Sequence, residues 1–199
     1  MKKIAVLCGS MGMLISTSAM AENTYFGIDY TQFSWETTYF SGQPSAIKFD
    51  IGYLFNKYFG IEGMYAIGVD DDVYDSALIG SDPSLGNIYL DRKTSVDSLI
   101  SAGLVGKYPF GEYFEIFGKV GYSTLTYKFS AELSAPSYGI TQEVDSEKFD
   151  GSGIYYGVGA ALRIEQHALL LEYNKLPDVD LNGDTMKTTS INLGYRYGF

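Results

Sequence analysis

One histidine and one cysteine are all that this 199-residue sequence offers for imidazole or thiolate chemistry. His167 stands beside Glu165 and Gln166 in a short turn-like segment, and no serine is placed to form a nucleophile–base pair with it. It is read as a turn histidine with no catalytic part. Two other patterns have the look of ligand sites. Pro177–Thr185, PDVDLNGDT, sets Asp178, Asp180, Asn182, Gly183 and Asp184 at the spacing of a calcium loop. Its twelfth position, counted from Asp178, is Thr189 where a bidentate Glu belongs, and Asn182-Gly183 is a hairpin signal. A turn is expected there, with a weak divalent-cation site as the alternative. Gly157–Leu162, GVGAAL, lacks the third glycine and the following helix of a dinucleotide fingerprint, so nucleotide binding is dropped. What remains is a set of ten charged residues, each between apolar or glycine neighbours: Asp29, Lys48, Asp50, Glu62, Lys107, Glu115, Lys119, Arg163, Glu172 and Arg196.

The N-terminus explains the cysteine. MKKIAVLCGSMGMLISTSAMA opens on Lys2 and Lys3, runs through a short apolar stretch and closes on Ala19-Met20-Ala21, the pattern of a cleaved secretory signal peptide. The apolar stretch is shorter than the roughly 20 residues of a spanning helix. Leu7 fills the place where a lipoprotein signal has Gly or Ala, which argues against acylation of Cys8. The expected organisation is a signal peptide over 1–21, cleaved after Ala21 with Ala19 and Ala21 as the small residues at −3 and −1, and one domain over 22–199. That domain holds no cysteine, which excludes disulfides and thiolate metal sites, and no cofactor is expected. Losing both lysines takes the formal charge from −10 to −12.

The ten charges sit in segments of period two, which means strands. Tyr25–Phe33 places Phe26, Ile28 and Tyr30 opposite Gly27, Asp29 and Thr31; Ala46–Phe55 places Ile47, Phe49, Ile51 and Tyr53 opposite Lys48, Asp50 and Gly52. The same alternation runs through 58–69, 98–108, 114–124, 154–164, 169–175 and 191–199, giving eight strands. A water-soluble sandwich would bury the apolar rows, whereas an outer-membrane barrel turns them to lipid and the polar rows inward. The apolar rows carry no charge, where an Arg or Lys would cost roughly 2–4 kcal/mol at mid-bilayer. The opposite rows are rich in Gly, Ala and Ser and hold five acids against five bases, as a narrow interior of paired charges requires. The expected fold is therefore all-β, an eight-stranded antiparallel up-and-down transmembrane barrel.

Connection lengths fit this. Long connections (36–45, 70–95, 128–152, 176–187) alternate with short ones (56–57, 109–112, 165–167), which predicts four extracellular loops and three periplasmic turns. Tyr53, Phe55, Tyr58, Phe59, Tyr108, Phe110, Tyr113 and Phe114 are expected to form a periplasmic aromatic girdle. That end is also the wrong side of the membrane for His167 to serve a serine facing the outer leaflet.

With Phe59–Gly68 (FGIEGMYAIG), Gly153–Leu162 (GIYYGVGAAL) and the alternating Tyr195, Tyr197 and Phe199, the chain resembles the small outer-membrane β-barrel family that includes the OmpA transmembrane domain and OmpX/Ail-type proteins. The resemblance implies a Gram-negative outer-membrane protein whose Tyr195, Tyr197 and Phe199 are read by the barrel-assembly machinery, with periplasmic chaperones as transient partners. It also raises lipid A-modifying enzymes of eight strands, but no triad is present and no enzyme is expected.

The expected function is structural: envelope integrity and surface display around an interior filled by its own charges. The alternative is adhesion or the binding of host or phage proteins through the long loops. Passage of small solutes ranks below both, because eight strands enclose an interior that side chains can fill. Asp70, Asp71, Asp72 and Asp75 lead one loop, and Glu143, Asp145, Glu147 and Asp150 close another, so nucleic acid and other polyanions are repelled. Expected partners are outer-membrane lipid and lipopolysaccharide around a monomer, with a solvated, repulsive loop face expected in preference to divalent-cation bridging.

Overall fold

The computed structural model describes residues 23–82, 86–181 and 183–199; the cleavage-site alanines Ala19 and Ala21, and Asn182, lie outside the described residues. Eight strands form a closed antiparallel ring in the order β1 (Thr24–Glu36), β3 (Ser45–Leu54), β4 (Phe59–Asp70), β6 (Gly86–Phe110), β7 (Phe114–Ala135), β8 (Ile140–Ile164), β9 (His167–Lys175) and β11 (Asp184–Gly198). Pairing of β1 with β11 from Tyr25↔Gly198 to Glu36↔Lys187 closes it. Three further strands extend the ladder beyond the ring: β2 (Ser41–Gly42) on β1, β5 (Asp72–Asp82) on β6 and β10 (Val179–Leu181) on β11.

The short turns close one end. Asn56 Oδ1 accepts from the amides of Tyr58 and Phe59 at 2.8 and 3.0 Å, replacing the ladder bonds lost between β3 and β4. Gly111 supplies a left-handed residue (φ 76°) between β6 and β7, and Glu165 does the same (φ 56°) between β8 and β9.

Alternation sorts the wall as expected. Phe26, Ile28 and Tyr30 of β1 point out, whereas Gly27, Asp29 and Thr31 point in and are buried. Around the outside, Tyr30, Tyr65, Tyr122, Tyr156 and Tyr173 are exposed at the level where outward positions change from apolar to Gln32, Thr124 and Ser152. They form a second, extracellular girdle that faces the expected periplasmic one across the apolar belt.

Two expectations need correction. The segments 70–95 and 128–152 are mostly strand rather than loop: β6 and β8 run for 25 residues and β7 for 22, against the roughly 9–11 that cross a bilayer. Beyond the membrane these strands carry polar residues on both faces, so period two is lost, and cross-strand ion pairs replace apolar alternation as what holds them. The interior is also not uniformly polar. A cluster of Phe33, Trp35, Met64, Leu125, Tyr127, Tyr155 and Met186 fills the extracellular half, and Val105, Phe117, Ala161, Ala168 and Leu170 form a smaller one. Tyr155 lies across the facing pair Gly103↔Gly121; a Cβ on Gly121 would come within 2.7 Å of its ring and 2.3 Å of the Ala102 carbonyl oxygen.

Candidate functional site

All eight ring strands contribute to the charged group predicted from sequence: Asp29 from β1, Lys48 and Asp50 from β3, Glu62 from β4, Lys107 from β6, Glu115 and Lys119 from β7, Arg163 from β8, Glu172 from β9 and Arg196 from β11. Nine of the ten are buried, and the ladder brings them together. Lys119 Nζ is 2.5 Å from Glu62 and 2.7 Å from Glu172. Lys48 Nζ is 2.6 Å from Asp29, 3.3 Å from Asp50 and 3.7 Å from Glu172. Arg196 reaches Glu62 at 3.1 Å, and the Tyr25 hydroxyl donates to the same carboxylate at 2.6 Å. A continuous network thus runs from Arg196 through Glu62, Lys119 and Glu172 to Lys48 and its two aspartates.

Near the turn end Glu115 takes Lys107 at 3.3 Å and Arg163 at 3.1 Å. Arg163 departs from the expected interior position. It is one residue from the end of β8, its side chain is 49% exposed, and it reaches in from the rim. Small inner-row residues make the network possible. A Cβ on Gly194 would lie 1.6 Å from Asp29 Oδ1, and one on Gly52 would lie 2.1 Å from the Tyr25 ring.

Sequence reasoning missed Tyr25, which is 2% exposed and stacks under Lys107 (4.6 Å) and Arg196 (4.2 Å) as well as binding Glu62. Its parity with Gly27 and Asp29 carried that signal. The same parity, counted onward past Thr31, assigns Phe33 and Trp35 to the interior.

Above the charges an aromatic group closes the extracellular side. Trp35 meets Tyr74 at 5.5 Å and Phe129 at 5.6 Å, and Phe129 meets Phe149 at 5.6 Å, all edge to face. Leu176 and Val179 fold in with them; Gly151 admits Val179, whose Cγ2 stands 2.6 Å from where a Cβ would be.

Outside the membrane the extended strands are tied by Lys93–Glu132, Lys128–Glu143 and Lys148–Asp97. Asp91 accepts from Ser76 of β5 and Ser134 of β7, and these hydroxyls, Ser134 first, hold its carboxyl below the usual carboxylate range. The hydrogen bond to Glu132 raises the Lys93 ammonium above its ordinary value.

The calcium-like segment is a hairpin: Leu181 pairs with Asp184, Asp180 Oδ1 accepts from the Gly183 amide at 3.0 Å, and Asp178 pairs with Lys175 at 2.8 Å. Among the described residues, no group of three His, Cys, Asp or Glu side chains has the geometry to hold a metal. His167 lies on the outer wall at the turn end, hydrogen-bonded through Nδ1 to the Tyr195 hydroxyl. Tyr197 donates to Gln166 at 2.7 Å and meets Phe199 edge to face, and the Phe199 amide bonds the Thr24 carbonyl at 2.9 Å.

The model for the outer membrane protein beta-barrel domain family matches residues 6–199. No curated protein sequence matches the chain. Among solved structures, Ail, the attachment invasion locus protein of Yersinia pestis, aligns at 20% identity and TM-score 0.51 over 89% of this chain and 100% of that one. A second Ail structure, in complex with the heparin analogue sucrose octasulfate, aligns at 19% identity and TM-score 0.50 over the same shares. Neisserial surface protein A aligns at 13% identity and TM-score 0.55, over 88% of this chain and 97% of that one. These likenesses speak to the fold.

The network makes one stability prediction. Replacing Lys119 by Met leaves Glu62 and Glu172 buried without their shared cation, and should cost roughly 3–5 kcal/mol. Adding Glu172→Gln should restore part of that loss. Urea unfolding of the refolded barrel, followed by gel mobility, measures both; an unchanged midpoint in Lys119→Met would refute the shared-cation geometry.

Proposed function

The chain belongs to the outer-membrane β-barrel protein family, and on that premise we propose that it is a sealed barrel with a structural and surface-display role in the Gram-negative outer membrane. One observation carries this reading: six of the eight strands send charged side chains into a joined ion-paired network across the lumen, and the other two pair with Glu115 nearer the turn end. Apolar layers lie above and below it. A solute would have to break several desolvated ion pairs at once. No catalytic role is proposed, since His167 is engaged with a tyrosine on the outer wall. Reconstituted in planar bilayers, the protein should give no steady conductance; a stable open channel of porin size would overturn the sealed reading.

Tyr195, Tyr197 and Phe199 are proposed as the signal for barrel-assembly machinery. Deleting Phe199 removes one ladder bond of the seam, to Thr24, so stability should fall little while assembly falls strongly. Outer-membrane level in cells, set against the urea midpoint of refolded protein, separates the two effects. Normal membrane insertion of the truncated chain would sink the assignment.

A second reading, recognition of a protein partner, rests on β5. Among the described residues it pairs with β6 alone, so its other edge is open. Open edges accept an extended chain. Ail was crystallised with a polyanion analogue; the acid-rich surface here suits the opposite charge. Removing residues 72–92 should abolish cell adherence with outer-membrane level unchanged if this reading holds, and unchanged adherence would exclude it.

A further inference from the structure

The interior charges cancel in number but are unevenly placed along the barrel axis. Three of the five cations, Lys107, Arg163 and Arg196, line a chamber of about 140 Å³ at the periplasmic mouth, together with Tyr25, Glu115 and Phe199. Two carboxylates reach these cations, and both are shared. Glu115 serves Lys107 and Arg163, whereas Glu62 serves Arg196 and Lys119. Deeper in the lumen the balance reverses: Asp29, Asp50 and Glu172 have only Lys48 and Lys119 among them. The three cations of the chamber therefore share two carboxylates, one of which also serves Lys119, while the three acids of the deeper layer share two lysines.

Two of these three cations are held out of water. Lys107 and Arg196 are 8% and 4% exposed, and both stand over the ring of Tyr25. Two desolvated cations on one ring repel each other unless a further anion lies between them. Glu165, which also lines the chamber, sits on the exposed turn at its rim, where solvent screens it. The chamber holds the volume of about four or five waters at roughly 30 Å³ each. It presents two guanidinium forks and one ammonium, a donor set that can take several oxygens of one phosphate at once.

We propose that the periplasmic mouth of the barrel is a binding site for a phosphate group. Arg163 reaches it from the rim, and Lys107 and Arg196 form its floor. Glu115 is the internal competitor: its carboxylate holds the two cations that a phosphate would otherwise take. The group comes either from free phosphate in the periplasm or from a phospholipid headgroup of the inner leaflet.

Calorimetric titration of the refolded barrel in detergent micelles with inorganic phosphate, at ionic strength matched with chloride, tests this. One saturable site is expected. Arg163→Gln, at a half-exposed position, should weaken binding at least tenfold. Glu115→Gln should tighten it several-fold, an effect that a purely structural network would not produce. Lys57→Gln, on a neighbouring exposed turn, should leave it unchanged. Gel mobility verifies that each variant is folded; if Glu115→Gln does not fold, Arg163→Gln decides alone. Non-saturating heats, or equal affinity in Arg163→Gln, would overturn the proposal. Repeating the titration in nanodiscs containing phosphatidylglycerol distinguishes the source: lost affinity assigns the site to a headgroup, and retained affinity to the free ion.

Discussion

The pairing of β1 with β11 is the constraint from which the rest of the molecule follows. In hydrocarbon an unpaired amide or carbonyl costs several kcal/mol, so a sheet can cross only by closing on itself. Here the seam is continuous from Tyr25↔Gly198 to Glu36↔Lys187, and the Phe199 amide adds a bond to Thr24 beyond it. Closure at eight strands fixes a narrow interior, and a narrow interior has to be filled by whatever its inward row carries. The glycines opposite Asp29 and Tyr25 are the complement of that demand: each long inward side chain takes the space that a neighbouring residue gives up.

Filling the interior with charge is not the choice that stability alone would favour. Buried ion pairs recover little more than their desolvation cost, and apolar side chains of equal volume often do as well. Register offers a reason for them. A one-residue slip of β3 would move Lys48 and Asp50 from the lumen to the lipid face, at roughly 2–4 kcal/mol for the lysine alone at mid-bilayer. An apolar inner row would lack that penalty, because either face could then meet lipid. The apolar layers around Phe33 and Tyr155 supply packing, while the charged layer penalises the wrong pairing.

The eight strands and the ten charged residues were legible because both are written in period two, and period two survives wherever one face meets lipid. Legibility failed where that contrast ends. Past the buried Leu125, Tyr127 and Gly151 both rows of β7 and β8 mix polar and apolar residues, so the run 128–152 has the composition of a loop although it folds as strand. Phe33 and Trp35 were hidden for a different reason: apolar residues on the inward row look like noise in a rule that sends apolar side chains to lipid. Arg163 shows the remaining limit, since parity gives the face of a residue but not its height, and height places it at the rim.

Height also gives the charge pattern its meaning. Outside the cell the lysines of the extended sheet are each bound to a carboxylate, Lys93 to Glu132, Lys128 to Glu143 and Lys148 to Asp97, so the remaining acids set the sign of that surface. At the opposite end Lys107, Arg163 and Arg196 set the sign of the mouth. The two ends of one short barrel therefore differ in which ions they attract, and the proposed seal between them would keep those populations apart. An interior of evenly mixed charges would seal the lumen equally well, so sealing alone does not account for the segregation. The proposed anion site at the mouth gives that segregation a use.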